Sequence, residues 1–497
     1  MDSRICVTFI YYLLRTSRLF SLQASATTIS LTEASEIPEE EDVYSIITKQ
    51  NKGSKKLIDQ GDIAVLLRRS AMGCQDGSCF WPKSKTGMVL VPYILSTDYT
   101  AAETEVIFSA MLEYTTLTCI HFVQRQAEID YIHIRSIDGC WSYLGKVGGP
   151  QDVSLLKTGC VSNGIVQHEL NHVLGFVHEH TRSDRDSYVD IDWAHISKAF
   201  VSNFEKAEPE TNNMALKYDY TSVMHYGRFA FTNTPGQATI IPKPDTTVII
   251  GQRYGLSNLD LMKIKQLYQC DTCSTLLTES SGSLSSGYND VASANKSVCV
   301  WLIRTSAEKV FLNFHTFAAP TTCHSEYIAV YDGATRMSPL LLYRACGTGA
   351  LPPLVSSANR MLLEFVSEGA SSFSASYYSG KCGGTLTAMN GTLTSPGYPR
   401  GYQPSTDCTW SIVAPNDYWL SLKITYFSLE SSRNCIYDYL SLLDGSRTGS
   451  SPDKYCGIRT LPTFITSGSW LVLQFHSDRS VQNIGFQAKY SWVTKQV

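Results

Sequence analysis

Eight cysteines in the second half of the chain fall into two sets of four with nearly the same rhythm, and nothing else in the sequence constrains the fold as tightly. Cys273, Cys299, Cys323 and Cys346 are separated by 26, 24 and 23 residues; Cys382, Cys408, Cys435 and Cys456 by 26, 27 and 21. The text between them repeats too. Glu326-Tyr327-Ile328-Ala329-Val330-Tyr331-Asp332-Gly333 answers Asp438-Tyr439-Leu440-Ser441-Leu442-Leu443-Asp444-Gly445, and Cys346-Gly347 and Leu351-Pro352 return as Cys456-Gly457 and Leu461-Pro462. A period of 109 residues is too long for a solenoid, so the pattern predicts two tandem domains of similar size. Each is rich in short alternating runs, such as Val310–Phe317, Met361–Phe365 and Trp470–Phe475, punctuated by Gly, Pro and Ser. That favours all-β sandwiches.

The cysteines also point to a compartment. Of 15, 14 lie between Cys74 and Cys456, an even set that reads as a disulfide framework formed in an oxidising environment. The odd one, Cys6, lies in the apolar stretch Ile5–Leu14, with Arg4 before it and Ala24-Ser25-Ala26 after it. This predicts a signal peptide over 1–26, whose removal takes Cys6 away, although Arg15 and Arg18 interrupt the usual pattern. The stretch is too short for a transmembrane segment, which needs about 20 apolar residues. A formal charge of -4 and no basic stripe argue against nucleic acid as a partner. Residues 27–69 are polar, with an acidic cluster from Glu33 to Asp42 and a basic pair at Arg68-Arg69, and are not expected to fold alone. Beyond them the chain reads as globular. Val89–Leu95 and Tyr131–Ile134 read as strands, and Glu103–Glu113 as a helix with Val106, Ile107, Ala110 and Met111 on one face.

The chemistry is concentrated in His168-Glu169-Leu170-Asn171-His172-Val173-Leu174-Gly175-Phe176-Val177-His178. Four residues apart on a helix, His168 and His172 aim both imidazoles at one ion. Gly175 lets the chain leave the helix at positive φ, so that His178 returns as a third ligand. Three histidines with one open position describe a catalytic zinc site rather than a closed structural one. Zinc acidifies its bound water, and Glu169 can take that proton and pass it to the leaving amine. The extended pattern is the metzincin signature. Ser222-Val223-Met224-His225-Tyr226-Gly227, with Met224 46 residues past His178, then reads as the methionine turn beneath the metal. Tyr226 is the expected zinc ligand of the resting enzyme and oxyanion donor during turnover.

With Glu179 directly after His178, then Arg182, Asp184, Arg185 and Asp186, and with Gly139-Cys140-Trp141-Ser142-Tyr143-Leu144-Gly145 upstream, residues 70–270 resemble the astacin metalloendopeptidases. The resemblance implies disulfides Cys119–Cys270 and Cys140–Cys160. It also implies that Glu179 receives the new N-terminal ammonium once a propeptide over 27–69 is cut, by an activating protease acting near Arg69 to release Ser70. Gly61-Asp62-Ile63 resembles the family's latency motif, in which Asp62 would take the zinc position that water needs; where the family often has an apolar residue, this chain has Asp59. Cys74 and Cys79, followed by Phe80-Trp81, resemble the hatching-enzyme branch, where such a pair closes a small extra loop.

The repeats, 273–380 and 382–494, resemble CUB domains, the second most clearly through Cys382-Gly383-Gly384, Ser395-Pro396-Gly397-Tyr398-Pro399, Cys408-Thr409-Trp410 and Gly485-Phe486. The family implies pairings Cys273–Cys299, Cys323–Cys346, Cys382–Cys408 and Cys435–Cys456. Some CUB domains bind calcium through one glutamate and two aspartates, here Glu430, Asp438 and Asp478, oxygen ligands of the kind calcium prefers. The first repeat has Ala318, Glu326 and Glu368 in those places. Asn295-Lys296-Ser297 and Asn390-Gly391-Thr392 have the form of glycosylation acceptors.

The expected fold is an α+β metzincin catalytic domain followed by two all-β CUB sandwiches. The expected function is that of a secreted zinc endopeptidase made as a zymogen, holding one Zn2+, with Ca2+ in the second CUB domain and with egg-envelope glycoproteins as substrates. An extended substrate is expected to pair with the strand containing Tyr131–Ile134, as an edge strand would allow. Two alternatives stand beside this: a tolloid-like processing protease, whose usual six-cysteine modules are not found here, and an inert CUB-mediated binding protein, against which the intact Glu169 argues.

Overall fold

The computed structural model describes residues 42–65, 78–207, 214–287, 297–306, 308–369, 371–445 and 452–495. The expected signal peptide, Arg69, Ser70, Cys74 and Asn295 lie outside them. Among the described residues, no helix is long and apolar enough to cross a membrane.

The catalytic region is built on one seven-stranded sheet: β1 (Ile58–Asp59), β2 (Ile63–Ala64), β3 (Val89–Leu95), β4 (Ile120–Gln124), β5 (Tyr131–Arg135), β6 (Cys140–Tyr143) and β7 (Pro150–Leu155). Its spatial order is β1-β2-β6-β7-β5-β3-β4. β5 pairs with β7 on one side and β3 on the other, both parallel. The strand expected to receive substrate is therefore interior, not an edge. Its alternation reported a strand correctly, but strand order is a long-range property that alternation does not carry. One end of the sheet is β4; towards the other, β6 is covered by β2, from the segment before the protease, which runs parallel to it with Ile63 opposite Ser142 and Ala64 opposite Tyr143. All four β6 residues are buried.

Among the described residues, four α-helices complete this region: α1 (Val43–Asn51), α2 (Ala101–Leu117), α3 (Asn163–Val173) and α4 (Asn258–Leu267). α2 begins at a capping box in which Thr100 and Glu103 satisfy each other's backbone N–H groups. It buries Ile107, Ala110 and Met111, extends to bury Tyr114 and Leu117, and leaves Val106 half-buried. α3 is buried on every face from Gly164 to Val173, so each of its polar side chains needs an internal partner. Gly175 ends it at φ 97°, where a Cβ would sit 3.0 Å from the Phe80 ring. The polar segment before the protease does not form a core of its own: α1 buries Val43, Tyr44, Ile46 and Ile47 against the catalytic region.

Each repeat forms a five-stranded sheet against a four-stranded one. In both, the first strand runs parallel to its neighbour with cysteines in register, Cys273 beside Cys299 and Cys382 beside Cys408. Disulfides join Cys119–Cys270, Cys140–Cys160, Cys273–Cys299, Cys323–Cys346, Cys382–Cys408 and Cys435–Cys456.

Candidate active site

α3 carries His168 and His172 on one face, and the turn at Gly175 returns His178 to meet them. Their Nε2 atoms converge on the Asp62 carboxylate: 2.9 Å from His168 to Oδ2, 3.4 Å from His172 to Oδ1 and 3.3 Å from His178 to Oδ1. All four side chains are buried. Each Nδ1 faces an oxygen, that of His168 at 2.8 Å from the Val223 carbonyl, that of His172 at 2.8 Å from Phe176 O and that of His178 at 2.9 Å from Gln60 Oε1. With the Nδ1 protons committed outward, the Nε2 lone pairs face inward. His168 and His178 then oppose lone pairs at 3.3 Å, and His172 Nε2 and Asp62 Oδ1 are buried without a hydrogen-bond partner. Such a cluster is costly alone and fits a cation with nitrogen and oxygen donors, which is zinc chemistry.

Asp62 reaches this point through a tight turn in the segment before the protease. Gln60 has φ 47° and Gly61 φ 84°, and a Cβ on Gly61 would lie 2.0 Å from the Tyr44 hydroxyl. Burial opposes the Asp62 charge, but the imidazoles of His178 and His172 outweigh it and hold this carboxyl well below its ordinary range. Asp59, where the family often has an apolar residue, lies exposed in β1 and leaves the turn intact.

Glu169 is buried beside the triad, and neither carboxylate oxygen has a partner. Burial, and next the Asp62 charge, push its carboxyl well above the usual glutamate range. Tyr226 is not among the converging donors. Its hydroxyl donates to the Gln60 carbonyl at 2.5 Å and its ring stacks on Tyr44 at 3.5 Å. Tyr44 donates to the same carbonyl at 2.5 Å. With Asp62 at the centre of the triad, the Gln60 carbonyl holds Tyr226 away from the ligand position expected for it.

Met224 is buried in the core beneath the triad, and its carbonyl accepts from the Glu179 N–H at 3.0 Å. The turn is anchored from α4: Asp260 accepts from Ser222 Oγ at 2.6 Å and from Val223 N at 2.9 Å. Glu179 is also buried and already engaged. Lys263 Nζ lies 2.5 Å from Oε2, Arg182 Nη1 3.2 Å from Oε1, and Asp219 N donates to Oε1 at 2.9 Å. Sequence reasoning missed Tyr44, Gln60, Lys263 and Asp260. Two of them had a local signal: Asp260 in the Ser257/Asp260 capping box that opens α4, and Tyr44 in the apolar helical spacing of Val43, Tyr44, Ile46 and Ile47.

Among the described residues a second group converges: Glu430, Asp438 and Asp478 offer oxygens within 4.8 Å of one another. Asp478 N donates to Asp438 Oδ1 at 2.8 Å, the Tyr402 hydroxyl donates to Asp438 Oδ2, and Glu430 Oε2 is left without a partner. Three crowded carboxylates fit calcium. In the first repeat, Glu326 instead accepts from Ser367 at 3.1 Å and from Ser371 at 2.5 Å. Asn390 is exposed at the start of a strand.

Comparison with known proteins matches the peptidase family model described as Astacin to residues 76–269 and the CUB domain model to residues 273–377 and 382–490. Embryonic protein UVS.2 of Xenopus laevis is 44% identical over 458 residues, covering 91% of this chain and 88% of that protein. An astacin-like metalloendopeptidase of Gallus gallus is 45% identical over 403 residues, covering 77% of this chain and 98% of its own. Among solved structures, high choriolytic enzyme 1, a hatching enzyme zinc-protease from Oryzias latipes, is 49% identical over 40% of this chain and 99% of its own, with a TM-score of 0.39. With its histidine triad and its two β-sandwich repeats, the chain belongs to the astacin family of zinc metalloendopeptidases, its protease followed by two CUB domains.

Proposed function

We propose that the chain is a secreted astacin zymogen whose released protease digests egg-envelope glycoproteins at hatching. One observation carries the zymogen reading: Asp62, from the segment before the dibasic site, sits at the centre of the histidine triad. The hatching role is supported by the sequence resemblance of the Cys74/Cys79 pair and by the order of one protease and two CUB domains. The Xenopus relative that spans most of the chain is named an embryonic protein.

Zinc, held by His168, His172 and His178, supplies a Lewis acid and an acidified water. Glu169 takes the proton of the attacking water and delivers it to the leaving amine nitrogen; its two unpartnered oxygens are free for both transfers. The Tyr226 hydroxyl, released from the Gln60 carbonyl, donates to the oxyanion that develops on the scissile carbonyl. β6, uncapped when β2 leaves, offers the backbone groups of Cys140–Tyr143 to an extended substrate by strand addition. Glu179 serves the new N-terminus at Ser70, which must then share it with Lys263 and Arg182.

The test compares processed wild-type protein with its Glu169→Ala form on isolated egg envelopes and on an unrelated unfolded protein. Wild type is expected to digest both, with the variant slower by roughly 10²–10⁴-fold and a zinc chelator abolishing turnover. Cleavage of the unfolded protein alone keeps the peptidase and discards the envelope. Equal inactivity of both processed, zinc-loaded forms favours a binding scaffold.

A further inference from the structure

The propeptide holds the protease at one more place, away from the zinc, and the contact has the chemistry of a cation site. Trp141 and Tyr143 alternate along β6 and project on the same face. Over them lies the ammonium of Lys56, 5.1 Å from the Trp141 ring centre and 4.6 Å from that of Tyr143, and it donates to the Tyr143 hydroxyl. Ammonium groups are attracted to aromatic faces at this range. At the edge of the indole stands Asp138, whose Oδ1 accepts from Trp141 Nε1 at 3.2 Å. Its Oδ2 accepts from Ser54 Oγ at 3.0 Å and from Lys55 N at 2.9 Å, both in the propeptide.

All the ligands of this shelf other than Trp141 Nε1 leave with the propeptide. What remains is a carboxylate oxygen stripped of two donors and two aromatic rings stripped of a cation, beside the strand edge that opens at the same moment. Trp141 and Tyr143 are 2% and 9% exposed while covered, so their rings become surface only when that edge does.

We propose that this shelf is a subsite for a lysine or arginine side chain of the protein substrate, with Lys56 as its occupant in the zymogen. Asp138, Trp141 and Tyr143 are its specificity-determining residues. The proposal deepens the endopeptidase reading and rests on it: propeptide and substrate use the same strand edge in turn, so a side chain beside the cleaved bond takes the place that Lys56 vacates.

The test uses the processed full chain and a series of otherwise identical peptides in which lysine, arginine, norleucine or glutamate is walked through each position around the cleaved bond. Norleucine matches the length of lysine without its charge. The expected result is one position at which lysine or arginine raises kcat/KM over norleucine by roughly two- to thirty-fold, the range of a cation over aromatic rings, with glutamate the poorest. Tyr143→Leu and Asp138→Asn are each expected to shrink the lysine-to-norleucine ratio at that position, whatever they do to the absolute rates. Dissociation constants of the same peptides for the processed Glu169→Ala form supply the ratio without turnover. If that form prefers lysine while the wild type cleaves nothing, the subsite stands and the endopeptidase reading falls. Equal values for lysine and norleucine at every position, in both rates and binding, overturn the proposal and leave the shelf as a latch for the propeptide alone.

Discussion

The two CUB domains share a ladder and differ at its ends. In the first, Ser297–Arg304 pairs with Arg360–Ser367 over eight residues; in the second, Thr406–Val413 pairs with Trp470–Ser477 in the same register. The last rung is Arg304 opposite Arg360 in one and Val413 opposite Trp470 in the other. Two like charges across a ladder repel. They are tolerated because Glu113 of the protease lies between them, 3.0 Å from Arg304 Nη1 and 3.2 Å from Arg360 Nη2. The same carboxylate accepts from Gln167 Nε2 at 2.8 Å, one residue before the first zinc ligand. Around this clasp Leu276, Val300, Leu302, Ala334 and Leu362 of the first CUB domain join the core that holds α3. At the opposite extreme, the second domain keeps Glu430, Asp438 and Asp478 where the first has Pro320, Glu326 and Glu368. Pro320, not the expected Ala318, is the counterpart of Glu430: Gly347 N donates to the Pro320 carbonyl as Gly457 N does to that of Glu430, and Ala318 bridges Thr348 as Ser428 bridges Ile458. One sandwich has thus put its variable positions into a buried joint with the protease, the other into a cluster suited to a metal.

The sharpest way to break this contrast is Arg304→Ala. Arg304 is 3% exposed and Glu113 0%, so the substitution leaves the buried carboxylate to Arg360 and Gln167 alone, and losing one of its two cations is expected to cost about 3 kcal/mol, the low end for breaking a buried pair. Denaturant unfolding is expected to show that loss in the transition of the protease as well as of the first CUB domain. The matched change Val413→Ala, at the same rung of the second domain, is expected to cost about 1 kcal/mol and leave the protease transition in place. Equal effects would mean that the joint carries no special weight.

Calcium tests the other half of the comparison. At an ion concentration about 100-fold above the dissociation constant, binding to the folded state alone adds about 2.7 kcal/mol. Calorimetry with calcium and then with a chelator is expected to move the transition of the second domain and not that of the first. Asp438→Asn is expected to abolish the shift, since Asp438 is the buried member of the three. A shift that survives in this variant would place calcium elsewhere.

This contrast also marks what the sequence could and could not convey. The zinc ligands were legible because a helix converts spacing into direction: His168 and His172 must share a face, and Gly175 must turn the chain. The duplicated cysteines were legible because two copies expose each other's pattern. Glu113, Arg304 and Arg360 were not. They are isolated polar residues, the first 191 positions before the second, and only the packing of two domains gives them a common purpose. The strand Tyr131–Ile134 was legible as a strand and misplaced as an edge for the same reason. Lys56 and Gln60 lie in polar turns with no periodicity to announce them, whereas Tyr44 had a signal that went unread: Val43, Tyr44, Ile46 and Ile47 have the spacing of one helix face.

The smallest effect is expected from Tyr402→Phe, and it separates a site built for a metal from acids that merely meet. The Tyr402 hydroxyl donates to Asp438 Oδ2 and accepts from Glu430 N at 3.2 Å, so one phenol orients two of the three carboxylate residues. Without calcium, losing these bonds is expected to cost about 1 kcal/mol, as for an ordinary intramolecular hydrogen bond. With calcium the phenol acts through the ligands it orients, and losing such an outer partner typically weakens metal binding by roughly 10–100-fold. The expected signature is therefore a small loss of stability in chelator together with a larger loss of calcium affinity in titration calorimetry. If affinity is unchanged while stability falls, Tyr402 serves the sandwich alone, and the second CUB domain differs from the first in its acids but not in having a site prepared around them.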